Sequence, residues 1–168
     1  MIRTAPVVVA LLGLLAAAGP TTAPGESTPV REEVVIAGET FRLELADTDK
    51  SRGRGLGGRT KIDTDGGMLF VFRHARWRSF WMKDCLIDID AIFLDNRGRI
   101  TAVHEMKKQP PRADDESVAA YEYRLKHYPS RGPSRFVIEL QEGSIDRLRI
   151  KRGQTIRLDL PRLKKKAR

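Results

Sequence analysis

The residues best able to do chemistry fall between Arg78 and Glu105. The run Arg78-Ser79-Phe80-Trp81-Met82-Lys83-Asp84 sets two cations, an acid, a hydroxyl and an indole close together, and Cys85, Asp88, Asp90, His104 and Glu105 follow. Three chemistries are open to this set. Asp88, Asp90, His104 and Glu105 are acceptable metal-ligand types, but a single histidine with no partner at ligand spacing is a poor start for a metal centre. Successive residues of a strand also point to opposite faces, so His104 and Glu105 do not converge on one ion. Neither a metal nor a cofactor is expected. Nucleophilic catalysis would need Ser79 or Cys85 with His104 as base, yet no G-x-S-x-G elbow surrounds Ser79 and nothing around Cys85 marks a catalytic thiol. The third chemistry is binding. Trp81 offers an aromatic face, Arg78 and Lys83 offer charge, and Asp84, Asp90 and His104 offer hydrogen bonds, the usual makeup of a small-ligand site. The competing reading makes Phe80, Trp81 and Met82 plain core filling.

The elements that must hold these residues are mostly strands. Glu33 to Ala37 and Thr40 to Ala46 read as a hairpin turning at Gly38-Glu39, and Phe41, Leu43 and Leu45 alternate with Arg42 and Glu44 as in a half-buried strand. Asp47 or Thr48 caps a short helix. The following SRGRGLGGR segment, Ser51 to Arg59, reads as a flexible surface connection and lacks the Lys-Ser/Thr ending of a phosphate-binding loop. Met68 to Phe72, Ser79 to Met82, Leu86 to Leu94, Arg99 to Met106, Arg135 to Gln141 and Gln154 to Leu160 are predicted strands. Glu116 to His127 is a candidate amphipathic helix, and Glu142 to Leu148 makes a helical turn or two. Many short strands predict a single-domain, mainly-β fold, a β-sandwich or partly open barrel with one to three short helices.

One hairpin carries a sharp expectation. Asp95-Asn96-Arg97-Gly98 fits a type I turn closed by a glycine bulge. That turn pairs Leu94 with Ile100, Ile92 with Ala102 and Asp90 with His104, whereas a two-residue turn would set Asp88 against Glu105. The first register is expected. It makes Asp90 and His104 either a structural fastening or a His-carboxylate pair that serves a ligand.

The ends of the chain speak to location and partners. Met1-Ile2-Arg3, the apolar run Pro6 to Ala18 and the small residues Ala16-Ala17-Ala18 follow the order of a signal peptide. The apolar run falls short of the roughly 20 residues needed to cross a bilayer. Residues 1–23 are therefore read as a leader cut near 18–23, residues 24–31 as a flexible linker, 32–161 as the folded domain and 162–168 as a basic tail. An exported protein, periplasmic or extracellular, is expected. Of the formal charge of +9, Arg3 supplies one and the tail Arg162 to Arg168 five, leaving about +3 on the body. Such a tail can rest on an anionic surface or stand free as a solvated terminus. The latter is the preferred reading, and no nucleic-acid partner is expected, since no recognition motif is visible. One cysteine excludes an internal disulfide, and its place before Leu86-Ile87 makes Cys85 a buried structural thiol.

Several segments together resemble one family, domain of unknown function 192 (DUF192). They are Arg54-Gly55-Leu56, Gly58-Arg59, Gly67 to Phe72, Ser79 to Lys83, Asp90, Phe93-Leu94-Asp95, His104-Glu105-Met106, Tyr128-Pro129-Ser130 and Ile150 to Gly153. The likeness spans Phe41 to about Leu160 and implies a compact mainly-β fold; it implies no reaction. Asp84-Cys85 stands where the family commonly has Asn-Thr, which argues against Cys85 as shared machinery. The expected role is recognition of a small or extended ligand around Trp81 to Asp90. The alternatives are a hydrolase using His104 with a carboxylate and an envelope accessory protein held at anionic surfaces by its tail.

Overall fold

The computed structural model describes residues 29–168; the expected leader and most of the expected linker lie outside the described residues. Six strands form one mixed sheet. In sequence they are β1 (Arg31–Ile36), β2 (Glu39–Ala46), β3 (Met68–Arg76), β5 (Ile89–Leu94), β6 (Ile100–Met106) and β8 (Ser134–Gln141). Their spatial order is β1-β2-β3-β8-β5-β6. Only β2 and β3 run parallel, which the long connection between them permits. The short strands β4 (Ser79–Phe80) and β7 (Tyr128–Pro129) pair apart from the main sheet. The order starts at β1 and stops at β6, so the sheet is open, with no closed barrel. The chain is mainly β and a single domain.

Both faces of the sheet are covered. Leu69, Val71, Ile92, Leu94, Phe136, Ile138 and Leu140 join one apolar cluster, while Met68, Phe70, Ala91, Phe93 and Val137 join a second on the other side. Period-two alternation sorts the same strands into both clusters. For that reason β5 is buried along its whole length.

The turns correct two expectations. The first hairpin turns at Ala37-Gly38, with φ of 51° and 90°, and pairs Ile36 with Glu39. Positive φ at both central residues matches the strand twist, so the turn falls one residue earlier than Gly38-Glu39. In the second hairpin the Asp95 N–H donates to the Arg99 carbonyl at 2.9 Å, and Leu94 pairs with Ile100 as expected. Beyond that pair the register shifts, because Phe93 lies opposite Ala102 and Thr101 is left over. The Thr101 hydroxyl fixes this bulge through the Phe93 carbonyl at 3.3 Å and Ser134 Oγ at 2.8 Å. An extra residue in one strand reverses the face of everything after it. Ala91 therefore opposes His104, and Asp90 opposes Glu105. The expected Asp90–His104 pair does not form; the two side chains lie on opposite faces.

Four short helices occur among the described residues, one more than expected. α1 (Asp49–Arg54) starts at Thr48, whose side chain accepts from Ser51 N–H. α2 (Val118–Arg124) is capped by Ser117, and α3 (Ser144–Arg147) is a single turn. The fourth, α4 (Leu160–Lys166), stands in place of the solvated tail and begins at the last residue of the strand expected over Gln154 to Leu160. The expected strand does not form, and Gln154 to Leu158 meets the sheet through an isolated bridge between Arg99 and Thr155. Asp159 then caps α4, with Pro161 in the first turn, positions both residues favour. Leu163 is buried at 2% exposure, while Arg162 and Lys166 bind the buried Glu32 on β1. Arg168 N–H closes the end by donating to the Asp47 carbonyl.

Candidate functional site

The motif Ser79 to Cys85 crosses the second apolar cluster and divides by direction. Phe80 turns inward, edge-on to Phe70 at 5.1 Å and to Phe93 at 5.2 Å between ring centroids, and Met82 is buried. Trp81 points outward and stays 39% exposed. The core reading thus suits Phe80 and Met82, and Trp81 is left to face a cleft. That cleft has a volume of ≈ 790 Å³, within the range of small-molecule sites. Phe70, Phe72 and Phe80 line it, with α1 and the Gly53–Gly58 loop on one side and Trp81, Lys83, Asp84 and Cys85 on the other. The glycine-dotted segment, expected to be a flexible surface connection, is a wall of this cleft.

The rim is tied down from several directions. Lys83 forms an ion pair with Glu122 of α2. Asp84 adopts a φ of 56°, a conformation that a short polar residue tolerates. Its N–H donates to Tyr121 Oη at 3.0 Å, and its carbonyl accepts from Gly58 N–H at 2.9 Å. The buried Tyr121 of α2 and the glycine loop thus fasten to the same residue. Across the cleft, Arg52 donates to the Val71 carbonyl at 2.8 Å and to both Asp49 and the Arg168 carbonyl at 2.6 Å.

At the floor lies Glu139, on the central strand β8, 5% exposed. Among the described residues its carboxyl has no hydrogen-bond or ion-pair partner, and burial alone pushes it up to about 8. Glu139 is therefore largely a neutral acid at pH 7, able both to donate and to accept a hydrogen bond. Its neighbours across the sheet are Met68 and Ala91. The chain can approach closely here because Gly67 has no side chain: with φ of 144°, a Cβ at Gly67 would lie 2.2 Å from the Glu139 carbonyl oxygen. Cys85 shares the floor, and its thiol is pushed up to about 12 by burial first and then by Glu139 and Asp84. A thiol held that high is not a nucleophile at neutral pH.

The remaining residues singled out from the sequence lie elsewhere. Arg78 sits behind the aromatic wall, its guanidinium 3.4 Å from the Phe72 ring centroid. It donates to the Ser134 carbonyl at 2.8 Å and to the His74 carbonyl at 2.7 Å. Burial, followed by the nearby Arg52 and Arg76, pushes it down to about 10. Asp90 is buried on the opposite face of the sheet and accepts the Ile145 N–H of α3 at 2.7 Å. Burial raises its pKa, with Glu105 adding to the rise against that hydrogen bond. His104 Nε2–H donates to the Pro129 carbonyl at 2.8 Å, and its ring stands edge-on to Phe93 and Tyr128. The structure thus gathers Trp81, Lys83 and Asp84 at the cleft, sets Arg78 behind it, and separates Asp90 and His104 from it and from each other. Sequence reasoning missed Glu139. The available signal was Val137, an apolar residue on the supposedly solvated face of Phe136 to Leu140, which marks a strand covered on both sides.

An open six-stranded sheet with an aromatic cleft over one buried acid defines a small, single-domain β protein with a candidate ligand site. The chain belongs to the DUF192 family, whose model, described as "Uncharacterized ACR", matches residues 32–158. Among solved structures it is similar to a Sinorhizobium meliloti protein provisionally described as a transcription regulator. The two are 27% identical, with a TM-score of 0.63, over 79% of this chain and 97% of the other. It is also similar to a protein of unknown function from Novosphingobium aromaticivorans, 28% identical with a TM-score of 0.61, over 84% of this chain and 94% of the other. No curated protein matches the chain.

Proposed function

We propose that this domain binds a small organic ligand in the cleft between the Gly53–Gly58 loop and Trp81 to Cys85, and that it works outside the cytoplasm after export. The observation that carries the binding reading is Glu139. A carboxyl only 5% exposed, with no hydrogen-bond partner among the described residues, is costly to charge and open to a partner from the cleft. This one lines a cleft walled by Phe70, Phe72 and Phe80 and edged by a half-exposed indole. An incoming polar group would satisfy it while apolar atoms cover the rings, the division of labour found in small-ligand sites. The export reading rests on the order of charge, apolar run and small residues in Met1 to Ala18.

A mixed fragment library screened by NMR tests the binding reading. Binders should shift signals of Leu56, the Gly53–Gly58 loop and the Trp81 indole; a library that moves none of them refutes it. The mass of the protein recovered from the cell envelope tests the export reading. A mature chain beginning between residues 19 and 24 supports it, and an intact Met1 rejects it.

A further inference from the structure

We propose that a second pocket, apart from the Glu139 cleft, binds a phosphomonoester group through Arg99, Arg131 and Arg152. The three arginines line one hollow of ≈ 500 Å³ with Thr101, Gly132 and Gly153, and none of these residues lines the cleft. They come from three separate turns, over residues 95–99, 130–133 and 150–153. Among the described residues, none of the three guanidinium groups has an ion pair, a hydrogen bond or an aromatic contact. No carboxylate lines the pocket. Across the three turns Asp95 is the single acid, against Arg97, Arg99, Arg131, Lys151 and Arg152. Its Oδ1 is engaged within its own turn, accepting the Arg97 and Arg99 N–H groups at 2.7 and 3.0 Å.

The backbones that carry these arginines are fixed. Ile100 N–H donates to the Gln154 carbonyl at 2.8 Å and Gly153 N–H to the Ile100 carbonyl at 2.9 Å, which fastens the Arg152 turn to β6. An Arg99 Nη lies 3.6 Å from the point a Cβ at Gly153 would occupy, so this glycine leaves Arg99 room beside Arg152. Ser130 Oγ–H donates to the Gly132 carbonyl at 2.6 Å, and a Cβ at Gly132 would stand 3.5 Å from Thr101 Cγ2. The Arg131 turn thus rests against the left-over residue of the β5–β6 bulge. Arg131 itself holds a φ of 52°, a left-handed conformation that residues with a Cβ seldom adopt. Three like charges gathered on fixed turns repel one another, and a bound anion relieves that repulsion. Guanidinium forks grip oxyanions through paired hydrogen bonds. A phosphomonoester brings three acceptor oxygens and close to two charges, enough to occupy all three arginines, whereas a carboxylate brings two oxygens and one charge.

Glycerol 3-phosphate and acetate, titrated at equal ionic strength and followed through the Gly132 and Gly153 amide signals, test this. The phosphate should shift both glycines saturably and bind about tenfold or more tightly than acetate. Arg131→Gln and Arg152→Gln should each weaken its binding about tenfold. Arg97→Gln and Lys151→Gln remove charge from the same turns outside the pocket and should each change it by less than about twofold. All four side chains are exposed, so the variants should keep the wild-type thermal midpoint. Vesicles of phosphatidylcholine with and without phosphatidic acid separate the two sources of a phosphomonoester. Co-sedimentation that needs phosphatidic acid and is lost in Arg152→Gln assigns a lipid headgroup; glycine shifts without co-sedimentation assign a free phosphorylated molecule. Glycerol 3-phosphate that leaves both glycines unmoved, or acetate that binds as tightly, overturns the proposal. Equal losses from Arg97→Gln and Arg152→Gln also overturn it, by reducing the pocket to a diffuse positive surface.

Discussion

Replacing Glu139 by glutamine removes a proton-binding group from the centre of the sheet while nearly keeping its shape. The folded protein holds this carboxyl at about 8, against an ordinary value of 4.5. Between those pH values the folded chain keeps a proton that the unfolded chain has released. The stability contribution is therefore fully present below 4.5, is lost as pH rises towards 8, and changes no further above it. The slope is at most about 1.4 kcal/mol per pH unit, so the ceiling across the window is about 5 kcal/mol. Since domains are stable by only about 5–15 kcal/mol, the effect is large enough to read. Urea denaturation of both proteins at pH 5, 7 and 8 should show the wild type losing up to about 4 kcal/mol relative to Glu139→Gln between the first and last of these. Groups common to both chains cancel in the difference, and any fixed cost of burying the amide shifts the variant's curve without tilting it. Parallel curves would mean that Glu139 ionises at its ordinary value, and the account of an unpartnered acid would fail.

Three further outcomes follow from the packing. Leu163→Ala should cost about 2–4 kcal/mol in urea denaturation, because α4 is anchored by this buried side chain; an unchanged midpoint would return the segment to a solvated tail. Native Cys85 should react with a bulky maleimide far more slowly than the unfolded chain at pH 8, since burial holds its thiol at about 12, and equal rates would contradict that. Asp90→Ala should destabilise the fold by about 1–3 kcal/mol by stranding the Ile145 N–H, and should leave fragment shifts at Leu56 unchanged; loss of those shifts in a folded variant would show that the acid belongs to the site after all.

Local pattern settled much of this protein from the sequence. Alternation in Phe41 to Leu45 and in Phe136 to Leu140 marked strands, Thr48 marked a helix start, and the joined motifs from Arg54 to Gly153 marked the family. Trp81, Lys83 and Asp84 were legible as a cluster because they are adjacent in the chain, and adjacency survives folding. What depended on through-space neighbours was not legible. The left-over Thr101 is held by Ser134 from a different strand, and that contact decides which face His104 takes. α4 takes its place from Glu32, at the other end of the domain. Glu139 sits in a strand whose alternation assigns it to a solvated face, and only the second apolar cluster folding over that face leaves it 5% exposed. A sequence records which side of a strand a residue occupies; the tertiary structure decides what covers that side, and with it whether an acid there is a solvated charge or a proton held over a cleft.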